Sequence, residues 1–338
     1  MSVIVGKPIG AGSPFKPPSM SPVEEWKFTG NTDAVLAVAV DLQGNVYSGS
    51  EDKIVRKINS SGIEIWKFTG HTNSAFSSVR SVAADVHENV YSGSEDKTVR
   101  KISSSGRQIW SFTGNTDQVR SVAVDLQGNV YSASKDKTVR KINSNGSQIW
   151  SFTGNTDQVQ SVAVDLQGNV YSGGDDRIIR KISSSGNEIW SFNGRMGRVN
   201  GVAADLQGNV YGSSFGNVLK IDSSGNRVWS FDGTDDDTYA VLDIAVDLQG
   251  NVYSANQIPT VRKINSSGKL VWAFTGHMSY VFGVAVDVQG NVYSASEDKT
   301  VRKLQQTADA ILYLATDKET PIYCKTIEKS GTNYLVRG

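Results

Sequence analysis

The chain has 338 residues, 34 basic and 34 acidic residues that cancel to a formal net charge of zero, and a single cysteine, Cys324. That balance excludes the strongly basic surface a nucleic-acid partner requires, and one cysteine excludes an intramolecular disulfide framework while leaving the redox compartment open. The N-terminal stretch MSVIVGKPIGAGSPF lacks the basic segment and apolar run of a secretion signal, and nothing in the chain has the apolar length of a membrane span. A soluble protein without membrane insertion is expected, cytoplasmic or assembled into a particle.

Residues 1–23 form a Pro/Gly-rich arm that holds five of the seven prolines. Proline lacks the N–H a strand ladder needs, so this arm is expected to be extended rather than packed as a regular element.

From residue 24 onward the chain repeats. Asn-Val-Tyr begins at Asn45, Asn89, Asn129, Asn169, Asn209, Asn251 and Asn291, and tryptophan occurs only at Trp26, Trp66, Trp110, Trp150, Trp190, Trp229 and Trp272. The spacings run 44, 40, 40, 40, 42, 40 for the first set and 40, 44, 40, 40, 39, 43 for the second. Seven copies at this period predict an all-β, seven-bladed β-propeller over 24–304.

The third copy shows the expected blade. Strands are predicted at Val119–Val124, Val130–Ser134, Thr138–Ile142 and Ser147–Phe152. Between the first two, Asp125-Leu-Gln-Gly-Asn129 reads as a turn, because Asp and Asn bond nearby backbone and Gly accepts a positive φ. The ends of the array predict how the ring closes. After Asn291 there is no further Ile-Trp-Ser-Phe segment, whereas Glu25-Trp26-Lys27-Phe28 is a fourth strand with no first three before it. Pairing strand 24–28 with the three C-terminal strands completes blade seven and removes the open edges.

Residues 305–338 lie beyond this array and read as a β-rich docking extension. Three short strands are predicted, Ile311–Ala315, Ile322–Ile327 and Tyr334–Arg337. So few strands are marginal alone in water, so the extension is expected to pack on the ring, on the N-terminal arm or on another subunit.

Gly70-His71, Val82-Ala83 and the string Ser92-Gly-Ser-Glu-Asp-Lys-Thr-Val-Arg100 resemble the tryptophan–aspartate (WD) repeat. The resemblance covers 24–304 and implies a propeller that serves as a protein-interaction platform. Two further likenesses make it a hybrid. Val-Ala-Val-Asp-x-x-Gly-Asn-Val-Tyr is similar to a bacterial class of propeller repeats, and Ser-Ser-Gly-x-x-Ile-Trp to quinoprotein-type propellers, though no residues match a quinone site. The Trp-Asp dipeptide is replaced by Lys101-Ile102 and its equivalents. The Gly-His pair survives only at His71 and His277, with Asn31, Asn115 and Asn155 elsewhere, and the second-turn aspartate is absent from units five and six. The family's internal hydrogen-bond network is therefore not expected whole.

Repeated polar residues read as scaffold. His71, His87 and His277 are too scattered for a metal site, and Asp-Leu-Gln-Gly-Asn lacks the alternating ligands of a calcium loop. Arg56, Arg100, Arg140, Arg180, Arg262 and Arg302 recur on the third strand, where stacking on a fourth-strand tryptophan is expected. No catalytic motif appears, and neither catalytic residues, a metal nor a cofactor is expected.

Function is expected where the copies stop matching. Phe76 arrives in an insertion, Arg195, Met196 and Arg198 replace Asn-Thr-Asp-Gln, and Phe215 sits in a shortened turn. Asp235, Asp236 and Asp237 with Tyr239 form an acidic insertion, Ile258 replaces Asp, and Met278, Tyr280 and Phe282 replace polar residues. Nearly all fall in loops that leave a propeller on one face. The reading is a non-enzymatic binding scaffold that docks into a larger assembly through its terminal arms and binds a protein partner through this loop face. The alternative is a glycan- or receptor-binding surface protein of a phage or virion-like particle; an enzyme is the third reading.

Overall fold

The computed structural model describes residues 21–71, 77–194, 197–233 and 239–306, together with strands Thr326–Ser330 and Asn333–Arg337. Among the described residues every regular element is a strand, and seven antiparallel four-stranded sheets form the blades of one ring. Blade three reproduces the expected unit as Val119–Val124, Val130–Ser134, Val139–Ile142 and Gln148–Phe152. Its last two strands each start one residue late because Thr138 and Ser147 still belong to turns. Their N–H groups are held by Asp136 Oδ1 at 3.2 Å and Asn143 Oδ1 at 2.9 Å.

The second strand of every blade is buried along its whole length, and its tyrosine is among the largest fully buried side chains. A phenol there needs a partner. The aspartate at the head of the first turn supplies it. Asp125 accepts from Tyr131 Oη at 2.9 Å, from the N–H groups of Gln127 and Asn129, and from the Asn129 side chain. The string Asp-Leu-Gln-Gly-Asn-Val-Tyr is thus one hydrogen-bonded unit in which the carboxylate is consumed. On the other side of the tyrosine ring lies a third-strand ammonium, Lys141 Nζ at 5.3 Å from the centroid.

The core sits between blades rather than within them. Tyr47 and Val55 of blade one pack against Val79 and Val82 of blade two, and the pattern repeats around the ring. The approach is close enough to demand a small residue: a Cβ on Gly93 would fall 2.6 Å from Val119 Cγ1, and one on Gly173 would fall 2.4 Å from Val199 Cγ1. At the circumference each tryptophan reaches the following blade. Trp110 Nε1 donates to Ser144 O at 2.9 Å and its ring covers Gly146, whose φ of 88° favours glycine in any case.

Ring closure is as expected. Val23–Phe28 pairs with Val301–Gln305 as the fourth strand of blade seven. Arg302 Nη1 meets Glu24 at 2.6 Å, Lys303 Nζ meets Glu25 at 2.9 Å, and Trp26 Nε1 donates to Ser60 O of blade one at 2.9 Å. Gln306 continues the ring's bonding, donating to Tyr253 Oη at 2.7 Å and Gly290 O at 2.6 Å. Of the strands expected beyond the ring, Tyr334–Arg337 falls within Asn333–Arg337, which pairs antiparallel with Thr326–Ser330. The expected strand Ile311–Ala315 lies outside the described residues, as do residues 1–20 of the proline-rich arm.

A chain beginning at residue 29 would leave Val301–Gln305 as an open edge. Calorimetry with light scattering should show a lower, broader transition and association for that chain. A chain beginning at residue 21 should keep the parental transition; equal behaviour of the two would contradict this account of closure.

Candidate functional site

Antiparallel order brings the second-to-third-strand turn and the fourth-to-first-strand loop to the same end of each blade. Bonds between them tie this loop face together. In blade two His71 Nδ1 lies 2.9 Å from Asp96 and its Nε2 lies 2.8 Å from Ser92 Oγ, while Arg100 pairs with the same Asp96 at 3.1 Å. Blade seven repeats this with His277, Ser294, Asp298 and Arg302. In blades one, three and four an asparagine takes the histidine's place: Asn115 Oδ1 accepts from Arg140 Nη1 at 3.0 Å. Burial works to raise Asp96, yet bonds from His71 and Thr98 hold it down to about 2; burial in turn lowers His71 despite Asp96. The network survives where its residues do.

The arginines do not stack on tryptophan as expected. On a strand neighbouring side chains face opposite ways. Lys57 lies opposite Trp66 in the ladder and faces the tyrosine–tryptophan side, so Arg56 faces away and pairs with Asp52 at 2.8 Å. Cation–ring contacts belong to the lysines.

Several of the divergent residues are exposed on the loop face. Phe215 (49 %) and Tyr239 (41 %) are neighbours across the blade five–six junction, where Phe215 bridges Ala240 and Gly216 N–H donates to Tyr239 O at 2.9 Å. Met278 (80 %) and Tyr280 (39 %) lie on blade seven, with Tyr280 edge-on to Phe282 at 6.4 Å. Arg198 bonds Asp175 at 3.0 Å, and Ile258 is half-buried. Phe76, Arg195, Met196, Asp235, Asp236 and Asp237 lie outside the described residues.

A second set of divergent residues was not singled out from the sequence, Phe282 apart. The second residue of the first strand is Leu36, Arg80, Arg120, Gln160, Leu242 and Phe282 in blades one to four, six and seven, with Asn200 just before the strand in blade five, and these seven line the mouth of the central channel, a cavity of about 230 Å³ shared with Arg198. In six blades the strand register slips across this residue, as between Val119 and Ser121. Such a bulge leaves one residue unpaired and re-aims its side chain. The polar members occupy blades two to five and the apolar ones blades six, seven and one. Comparing this one position across the copies would have found the ring; attention to loops passed over it. Among the described residues no three His, Cys, Asp or Glu side chains gather as metal ligands.

One residue deeper, serine pegs adjacent blades together: Ser81, Ser121 and Ser161 Oγ accept the N–H groups of Val122, Val162 and Val202 at 3.0, 3.2 and 3.0 Å. In blade six the peg is Asp243, which accepts from Val284 N–H at 3.0 Å. Burial pushes its carboxyl up to about 7, against the pull of two backbone N–H groups. A folded carboxyl whose pKa exceeds its unfolded value holds more protons folded, so its contribution falls as pH rises from about 4 to about 7. We expect Asp243→Ser to gain stability over the parent across that interval, approaching on the order of 4 kcal/mol at pH 8, with little difference at pH 4. Denaturant titrations at the two pH values check this; a gain independent of pH would refute it.

Residues 50–215 match the family model described as outer membrane protein assembly factor BamB, and residues 268–303 match the WD domain, G-beta repeat. No curated protein matches the chain. With a WD-repeat match in blades six and seven, a BamB-type match across blades one to five and seven closed four-stranded blades, the chain belongs to the WD-repeat-like seven-bladed β-propellers.

Proposed function

We propose that this propeller is a non-enzymatic interaction scaffold that binds a protein partner through its loop face and docks into a larger assembly through the segments outside the ring. The observation that carries this reading is the contrast between a near-invariant frame and one divergent face. The aspartate–tyrosine unit repeats in all seven blades, while Phe215, Tyr239, Met278 and Tyr280 expose large side chains where other copies carry small or polar ones. Exposed aromatic and methionine side chains among arginines are the composition of interface centres. A sugar-stacking surface has less to draw on, because the seven second-strand tyrosines are fully buried and six of the tryptophans donate their N–H to a neighbouring turn.

Two variants of the protein test the reading. The full chain should enter a high-molecular-weight fraction, and removing 1–20 and 307–338 should leave a ring with the parental unfolding transition that no longer does. Retention of the trimmed ring in that fraction would sink the docking claim. Met278→Ser with Tyr239→Ser in the full chain should weaken partner binding about tenfold or more, consistent with the loss of two anchoring side chains.

A further inference from the structure

The mouth of the central channel is divided by chemistry, and blade three breaks a rule its neighbours keep. In blade two the channel residue Arg80 is paired with Glu95 of the second turn, Nε to Oε1 at 2.8 Å. In blade four the channel residue Gln160 donates to Asp175 at 3.0 Å, and the same Asp175 also takes Arg198. In blade three the equivalent pair is Arg120 and Lys135: a cation stands where an acid stands on either side. The buried Nε of Arg120 has no partner among the described residues. Burial, then the charge of Arg80, lowers the Arg120 guanidinium to about 10, and burial followed by Arg120 lowers Lys135. Arg120 keeps its charge at neutral pH; the acids whose charge reaches it, Glu95 and Asp175, are committed to Arg80 and Arg198, and Asp117 acts on Lys135 instead.

An uncompensated, partly desolvated guanidinium is costly unless an anion meets it. The opposite side of the same cavity is apolar, formed by Leu36, Leu242 and Phe282. A ligand that fills it carries a carboxylate and an apolar group a few ångströms apart. We propose that the channel mouth binds an acidic peptide segment of the partner, seating a Glu or Asp carboxylate between Arg120 and Lys135 and an adjacent Leu or Phe side chain against Leu242 and Phe282. The idea rests on the reading of this face as a protein-binding surface, and it adds the chemistry of what is bound.

The test uses the full-length protein and three acetylated, amidated tetrapeptides titrated by NMR: Gly-Glu-Leu-Gly, Gly-Gln-Leu-Gly and Gly-Glu-Ser-Gly. The first should bind saturably and the other two at least tenfold more weakly. Two substitutions borrow residues the ring already uses at these positions, so folding should be kept. Arg120→Gln copies Gln160, and Lys135→Glu copies Glu95 and should capture Arg120 internally. Each should weaken Gly-Glu-Leu-Gly at least tenfold, and raising the salt should weaken it further, since the pair is partly exposed. Leu166→Ser, in the exposed first-to-second-strand turn at the other end of blade four, should leave this peptide unaffected. Absence of saturable binding, survival of binding in Lys135→Glu, or equal displacement of the peptide by inorganic phosphate at the same concentration would overturn the proposal. Binding lost in Met278→Ser but kept in Arg120→Gln would overturn it too, while leaving the broader loop-face reading standing.

Discussion

The close approach of each first-strand valine to the small second-strand residue of the preceding blade sets the geometry of the whole ring. Val79 against Gly49, Val119 against Gly93 and Val199 against Gly173 leave no room for a Cβ where glycine stands, and blades three, six and seven fit an alanine there. This contact fixes how near the first strands come to the axis, and hence the width of the channel. Strand twist carries the outer strands of adjacent blades apart. The widening gap takes a larger residue, and tryptophan fills it, lying on the turn glycine of the next blade and donating to its serine carbonyl. Small residue inside and tryptophan outside are two halves of one wedge.

Within that wedge the polar residues behave as sets rather than singly. A buried charge is tolerable when its partner is present, and removing both partners costs less than removing one. Blade five has dropped both: Leu219 stands in the arginine's place, and the shortened turn at Phe215 carries no aspartate. Blade six has dropped only the acid. Ile258 replaces it, burial lowers the pKa of the remaining Arg262, and Thr260 Oγ1 is buried without a partner among the described residues. The exchange of histidine for asparagine in blades one, three and four is of another kind, since from the same place asparagine bonds the arginine of the pair and histidine bonds the aspartate.

Much of this was legible in the chain because repetition amplifies weak signals. One short strand with an Asn-Val-Tyr start says little, but seven at near-constant spacing define the blade, and an unmatched Trp26 strand at one end defines the closure. The side-chain partners were less accessible. Arginine and lysine are adjacent in six of the seven third strands, and only the ladder register says which of them faces the tryptophan. The channel residues were harder still. Their inward aim comes from a bulge between, for example, Val119 and Ser121, and no residue type announces that slip. Phe215 and Met278 stood out by type, whereas Arg120 looked like an ordinary strand residue.

Near-identical copies also act as internal controls on one another. Blades two, three and four present almost the same backbone at the channel mouth, so a difference between them is a difference of side chains alone. Arg80 has Glu95, Gln160 has Asp175, and Arg120 has Lys135. If the arginine were there only to brace the second turn, the turn residue that accepts its bond would be needed wherever the arginine occurs; in blade three it is not merely missing but reversed in charge. The serine pegs show the same logic with the sign changed. A neutral hydroxyl suffices in blades two, three and four, so the carboxyl of Asp243 adds nothing to the peg that its burial does not take away. A frame that has a cheaper residue for each position, and uses it elsewhere, directs attention to the two places where it does not. Both lie in the channel.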